Sequence, residues 1–281
     1  RPLSGTENDK GCKNCIEYMN PTTLKIMDEF TRGKDGPDGK QFAFDSVFDP
    51  SSSQDDVFED TKQLIESVLD GYNVCIFAYG QTGSGKTWTM TGIPEQPGIT
   101  PRCISHLFDR VNQVGKFNTI RVSCYFVELY NDHLVDLLLN LKDKKAKPTK
   151  LDIKVDQRKQ VYVKGAVELT VSSAEELQNL FDRANQNRHV SSTAMNSESS
   201  RSHSIFSVKV ENLNRSTKKT TYGKLSLIDL AGSERAKKTK ATGDTAKEGT
   251  NINKSLTALG NVISALTKGE KFVPYRENKL T

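Results

Sequence analysis

No apolar run in these 281 residues approaches the ~20 needed to span a bilayer, and the basic, non-apolar start is not a signal peptide. A soluble protein with no membrane partner is therefore expected. Cysteine is scarce and odd in number: Cys12, Cys15, Cys75, Cys103 and Cys124, three of them in apolar or strand-like surroundings. That argues against a disulfide framework and points to a reducing intracellular compartment. Cys12 and Cys15 have the spacing of half a zinc site, but no second Cys pair and no His pair follows at a suitable distance. Tryptophan occurs once, at Trp88, and there is no internal repeat. Neither sign of charge is lacking: the net charge of +5 arises from 40 basic and 35 acidic residues, so the global balance says little about partners and none of nucleic acid is expected.

What is present is enough hydrophobic residue, 35%, to bury the core of one large α/β domain. After the apolar run 73–79 comes Gly80-Gln81-Thr82-Gly83-Ser84-Gly85-Lys86-Thr87, which fits the phosphate-loop pattern G-x-x-x-x-G-K-[ST] without exception. Its glycines let the backbone turn tightly enough for successive N–H groups to face phosphate oxygens. Lys86 then supplies a point charge to the β- and γ-phosphates, and the Thr87 hydroxyl suits Mg²⁺. A Gly-rich turn with no ligand is the bland alternative, and the strand-like run in front of it makes that alternative weak.

Around this loop, Val57, Thr61, Leu64, Ile65, Val68 and Leu69 recur at helical spacing, with Ser53 and Asp56 at the start and Gly71 at the end. Residues 120–130, 205–210 and 224–231 read as strands. Ser173-Ala174-Glu175-Glu176 reads as a capping box opening a helix with Leu177, Leu180, Phe181 and Ala184 on one face. A later helix is marked by Ile252, Leu256, Leu259, Val262, Ile263 and Leu266. Strands interleaved with helices predict a three-layer fold, a central, mostly parallel sheet with helices on both faces. Residues 31–39, 142–150 and 215–221 are loop-like.

Asp229-Leu230-Ala231-Gly232 ends a buried strand, where the acid can hold a water on Mg²⁺ and Gly232 can bring its N–H to the γ-phosphate. A lone D-x-x-G is otherwise an ordinary strand-end turn. GTPases share it but also carry an [NT]-K-x-D guanine code after it; here Thr149-Lys150-Leu151-Asp152 comes before it and follows a Lys-rich loop, and Asn253-Lys254-Ser255-Leu256 lacks the acid. The match is therefore read as coincidence, which argues against guanine. The hydroxyl-dense segment Asn196-Ser197-Glu198-Ser199-Ser200-Arg201-Ser202-His203-Ser204 suits a clamp around Mg²⁺ and phosphate, although composition alone would make it a solvated loop.

Taken in order, the phosphate loop, 196–203, Asp229–Glu234, 251–256 and 273–281 resemble the nucleotide loop, two switches and track-binding segments of the kinesin motor family. The resemblance covers essentially the whole chain. Within the family, residues 71–80 are similar to the minus-end-directed, C-terminal-motor branch, and 55–61 to its plant calmodulin-binding members. The resemblance implies a P-loop NTPase fold that binds ATP and ADP with Mg²⁺ and a microtubule-stimulated ATPase. It also implies roles by position. Lys86 and Thr87 hold phosphate and metal, Ser200 completes that shell, Asp229 acts through water, and Gly232 senses the γ-phosphate beside Asn196. Arg201 and Glu234 form an ion pair that closes the switches, Trp88 stacks on adenine unless it is a core residue, and Arg1 and Pro2 are the tail of the adenine-contacting strand.

The implied partner is the acidic microtubule surface, approached by Lys237, Lys238, Lys240 and Lys247 before the late helix and by Arg276 and Lys279 after it; lysines 142–150 are a weaker second contact. Residues 1–281 are thus expected to be one motor domain cut at both ends, acting in the cytoplasm on the microtubule cytoskeleton, including the spindle. A calmodulin-type regulator would bind outside this segment. The alternatives from other classes are a nucleotide-binding but hydrolytically weak microtubule-binding module and a GTPase switch.

Overall fold

The computed structural model describes residues 1–27, 39–139, 149–193, 200–234 and 244–281, the side chains of 189–193 and 244–248 excepted. Asn196, lysines 142–147, Lys237, Lys238 and Lys240 lie outside the described residues, as does the side chain of Lys247. The chain forms two units, Arg1–Thr61 and Lys62–Thr281.

In the first unit, Ser4 caps helix α1, Gly5–Asp9, through a reciprocal pair with Glu7, and the Arg1 guanidinium meets the same carboxylate at 2.6 Å. Strands β1, Ile16–Asn20, β2, Thr23–Ile26, and β3, Lys40–Ala43, form an antiparallel sheet in that order. Helix α2, Gln54–Leu69, runs across the division at Thr61 and starts as its sequence dictates: Ser53 N–H and hydroxyl both donate to Asp56 Oδ2 at 2.7 Å, and Asp56 N–H returns a bond to Ser53 Oγ. It stops at Gly71, where the Tyr72 N–H reaches back to the Ser67 carbonyl at 2.9 Å.

The second unit continues with β4, Asn73–Ala78, α3, Lys86–Met90, the two-residue pair β5, Gly92–Ile93, and β6, Gln96–Pro97, and α4, Ile99–Val114. Then come β7, Asn118–Tyr130, β8, His133–Asp136, the hairpin of β9, Asp152–Val155, and β10, Val161–Lys164, and β11, Leu169–Val171. Helix α5, Ala174–Thr193, β12, Ser202–Asn214, β13, Thr220–Asp229, and α6, Asp244–Thr267, complete it. The main sheet runs β11-β7-β12-β13-β4, with β8 also on β7.

This sheet is mixed, where a mostly parallel one was expected: β4 and β13 pair in parallel, and the other described pairs are antiparallel. The cause is local. Asn214 Oδ1 accepts the N–H groups of Ser216 and Thr217, and the short turn this makes between β12 and β13 leaves no room for a crossover helix. Helices do cover both faces. On one, Phe126 of β7, Phe181 of α5 and Phe206 of β12 form a cluster with ring centroids 5.1 to 5.6 Å apart, and Leu177 and Ala184 are buried beside them. Burying each such ring contributes about 1.5–3 kcal/mol. On the other, reached by the alternate residues of β12, lies α6, whose Leu256, Ala258, Val262 and Ala265 are buried. Its expected apolar stripe is narrower than the spacing predicted, since Ile263 and Leu266 are exposed.

Candidate functional site

Parallel pairing of β4 with β13 sets their C-terminal ends side by side, Ala78 opposite Asp229. Antiparallel pairing of β12 with β13 brings the start of β12 to the same edge, Ser204 opposite Asp229, and β7 adds Glu128 opposite Ser204. Three segments singled out in the sequence, the phosphate loop, 200–204 and 229–234, therefore meet at one end of the sheet.

The loop turns where its glycines permit: Gly83 and Gly85 hold φ of +77° and +96°, left-handed values that a side chain would strain. Lys86 Nζ donates to the Gln81 carbonyl at 3.0 Å, inside the loop it is expected to serve. The Thr87 hydroxyl donates to Asp229 Oδ2 at 2.6 Å, while the buried Asp229 Oδ1 has no hydrogen-bond partner among the described residues. A hydroxyl and a carboxylate in contact, one carboxylate oxygen orphaned, are the hard oxygen donors that Mg²⁺ takes, so the residues present fit the ion.

The segment after β13 is bound to the loop. Glu234 accepts from the Thr82 N–H at 2.8 Å and from the Thr82 hydroxyl at 2.6 Å, and the Ser233 N–H donates to the Gly80 carbonyl at 3.0 Å. Burial pushes the Glu234 carboxyl up, but the Thr82 bonds and the Lys86 charge outweigh it and hold the group below its ordinary range. Thr82 is thus the carboxylate's partner here, where the sequence reading expected Arg201. The Gly232 N–H donates to the Ser200 carbonyl at 2.8 Å, and a Cβ on Gly232 would stand 2.3 Å from Glu234 Oε2 and 2.5 Å from Thr82 Oγ1. A side chain there would displace the Glu234 carboxylate from Thr82.

Two further groups brace this edge. Arg188 of α5, whose side chain is 7% exposed, donates from Nε to Glu128 Oε1 at 2.9 Å and from Nη2 to the Ser202 carbonyl and hydroxyl at 3.2 and 3.0 Å; the Ser202 hydroxyl also meets Glu128. His203, buried on the opposite face, bonds the Ala231 N–H and the Ser255 hydroxyl. Motif matching passes over Arg188 and gives His203 no role of its own, yet for Arg188 a signal exists: Phe181, Ala184 and Arg188 share one helical stripe, and a charge on a buried stripe demands a partner.

Trp88 is 45% exposed on α3, which rules out the core alternative. Arg1 and Pro2 belong to the first unit, where Arg1 pairs with Glu7. Arg276 is exposed, whereas Lys279 Nζ contacts the Asp132 carbonyl and lies 3.2 Å from its carboxylate. Asp152 of the guanine-like tetrapeptide is a strand residue paired with Lys164 in the β9–β10 hairpin.

The Kinesin motor domain family model matches residues 1–281. The kinesin-like protein KIN-14E of Arabidopsis thaliana is 50% identical over 283 residues, which take in 100% of this chain and 22% of that protein. KIN-14M of the same plant is 45% identical over 100% of this chain and 39% of its own length. The chain therefore spans well under half the length of these curated relatives. Among solved structures, that of a fast kinesin superposes with a TM-score of 0.86 at 38% identity, covering 100% of this chain and 77% of that one. The motor domain of the Kar3-like kinesin from Ashbya gossypii gives 0.76 at 36% identity, over 94% and 78% of the two chains.

Proposed function

The chain belongs to the kinesin motor-domain family, and on that premise we propose that it couples ATP binding and hydrolysis to microtubule binding and movement. The observation that carries this reading is the pair of contacts that occupy the phosphate-sensing groups. The Gly232 N–H is given to the Ser200 carbonyl, and Glu234 is given to Thr82 of the loop. A γ-phosphate competes for the first, and an Arg201–Glu234 pair requires release of the second. Nucleotide and switch arrangement are therefore linked, and ATP shifts the population toward the closed arrangement.

In that mechanism Lys86 leaves the Gln81 carbonyl to bind the β- and γ-phosphates. Thr87 and Ser200 would hold Mg²⁺ directly and Asp229 through water; the ion, when bound, neutralises charge developing on the phosphates. Arg201 and Glu234, once paired, hold the attacking water in line. Trp88 offers its ring to adenine. The helix α6 with the flanking Lys237, Lys238, Lys240, Lys247, Arg276 and Lys279 faces the acidic microtubule surface, and release of phosphate restores the Thr82 and Ser200 contacts. Residues 1–281 are read as one motor domain, acting on the microtubule cytoskeleton and the spindle. Likeness of 55–61 to plant calmodulin-binding members supports a calmodulin-type regulator that binds outside 1–281.

One contact favours a second reading. With Glu234 held by Thr82, the chain would bind nucleotide and microtubules but hydrolyse weakly. Steady-state turnover of ATP and of GTP, each with and without microtubules, separates the two. Strong microtubule stimulation with ATP supports the motor, flat turnover supports the weak module, and equal use of GTP overturns the adenine assignment.

A further inference from the structure

His203 is the second residue of β12, three residues after Ser200, and it is 3% exposed. Nδ1 accepts the Ala231 N–H at 3.0 Å, so that nitrogen carries no proton. Nε2 therefore carries it and donates to Ser255 Oγ at 2.8 Å, and the Ser255 hydroxyl donates to the Ile252 carbonyl at 2.7 Å. An unbroken series of hydrogen bonds thus runs from the residue before Gly232 into α6. Both bonds of His203 are buried and the Ser255–Ile252 bond is partly so; a buried polar group left without its partner costs about 1–3 kcal/mol.

We infer that His203 and Ser255 are positioning residues that pass the arrangement of the Asp229–Gly232 segment to α6, a role that rests on the microtubule-facing function proposed for that helix. The Gly232 N–H cannot donate both to the Ser200 carbonyl and to a γ-phosphate. Turning it toward phosphate rotates the backbone about Ala231, which is fully buried, so the adjacent Ala231 N–H moves with it. The imidazole holds its two nitrogens at a fixed separation and has only two rotatable bonds. It transfers that displacement to Ser255 instead of absorbing it, as a longer flexible side chain would. Ser255 is 4% exposed and anchored to its own helix through Ile252, so α6 shifts or the series breaks. Either outcome makes α6 depend on nucleotide.

His203→Asn keeps an acceptor near the position of Nδ1 but cannot reach Ser255, and Ser255→Ala removes the other end. Both are to be made in the full protein and assayed for ATP turnover with and without polymerised tubulin, beside thermal melts. Expected are basal turnover within about twofold of wild type, microtubule stimulation reduced roughly tenfold, as for one lost buried hydrogen bond, and non-additive losses in the double variant. Ser255→Thr, which restores the hydroxyl, recovers most of the stimulation. Stimulation equal to wild type in both variants overturns the inference, as does a loss that tracks the melting temperature and lowers basal and stimulated turnover alike. Wild-type hydrogen exchange in α6, compared between ADP and a non-hydrolysable ATP analogue, decides the matter even where a variant fails to fold: a change around Ile252 and Ser255 supports the relay, and none refutes it. Absence of stimulation in the wild type would instead overturn the functional reading, while that exchange comparison still tests the relay.

Discussion

Glu234 is bound twice to Thr82, through the backbone N–H at 2.8 Å and the hydroxyl at 2.6 Å, so an acid just beyond β13 is latched to the phosphate loop that follows β4. The latch uses both carboxylate oxygens. Replacing Glu234 by Ala removes it together with the acid half of the ion pair proposed with Arg201. Nucleotide affinity should change by no more than about threefold, because Lys86 and the loop backbone are untouched. Microtubule-stimulated hydrolysis should fall by about 100-fold or more, in keeping with a group needed only on the way to the transition state. Single-turnover assays check this, and normal turnover would refute the assignment.

Asp229 and Thr87 form the oxygen pair that fits Mg²⁺. Asp229→Asn removes the charge and keeps the shape. The concentration of Mg²⁺ needed for half-maximal ATP binding should rise about tenfold or more, read by titrating the ion at fixed nucleotide. Little change would place the ion elsewhere.

The Arg188–Glu128 pair joins a buried guanidinium to a half-buried carboxylate, at 7% and 15% side-chain exposure. Arg188→Ala leaves the carboxylate with the Ser202 hydroxyl but no cation and should cost about 3 kcal/mol in a denaturant titration. Arg188→Met with Glu128→Gln should recover a large part of that, because no uncompensated charge remains.

His203 gives the fold an acid sensitivity. Burial, aided by the nearby Arg188 charge, lowers its pKa to about 4, against about 6.5 for an unfolded chain. Between these values only the unfolded state takes up the proton. Stability from this group is complete above about pH 6.5 and is lost as pH falls toward 4, at roughly 1.4 kcal/mol per unit and about 3 kcal/mol in all. Denaturation midpoints measured from about pH 7.5 down to about pH 5 should fall less steeply in His203→Asn than in wild type.

Lys237, Lys238 and Lys240, if they face an acidic filament, act through screened charge. Replacing them by Gln should weaken microtubule affinity most at low salt, with the difference shrinking as salt rises past about 0.15 M. A loss that is constant across salt would indicate a non-electrostatic contact.

Much of this was legible beforehand because local rules agreed with the fold. Ser53 and Asp56 cap α2, Leu177, Phe181 and Ala184 face inward on α5, and Gly80–Thr87 turns directly after β4. What was not legible was which strand and which side chain each element would meet. The pairing of β12 with β13 and β7 is set by an Asn214 turn and by register, so strands alternating with helices suggested a parallel sheet that the chain does not build. Likewise, Glu234 could be assigned a partner from motif likeness alone, but which residue holds its carboxylate depends on how Gly232 carries the chain past Thr82. His203 was visible only as one letter of a serine-rich segment, since its partners lie 28 and 52 residues away.

The central claim, that nucleotide state sets track affinity, is tested most directly by measuring microtubule binding of one preparation in ADP and in a non-hydrolysable ATP analogue at a fixed low salt concentration. A dissociation constant at least about tenfold lower with the analogue, equivalent to ~1.4 kcal/mol of coupling, is what the account predicts. Equal affinities in the two states would contradict it.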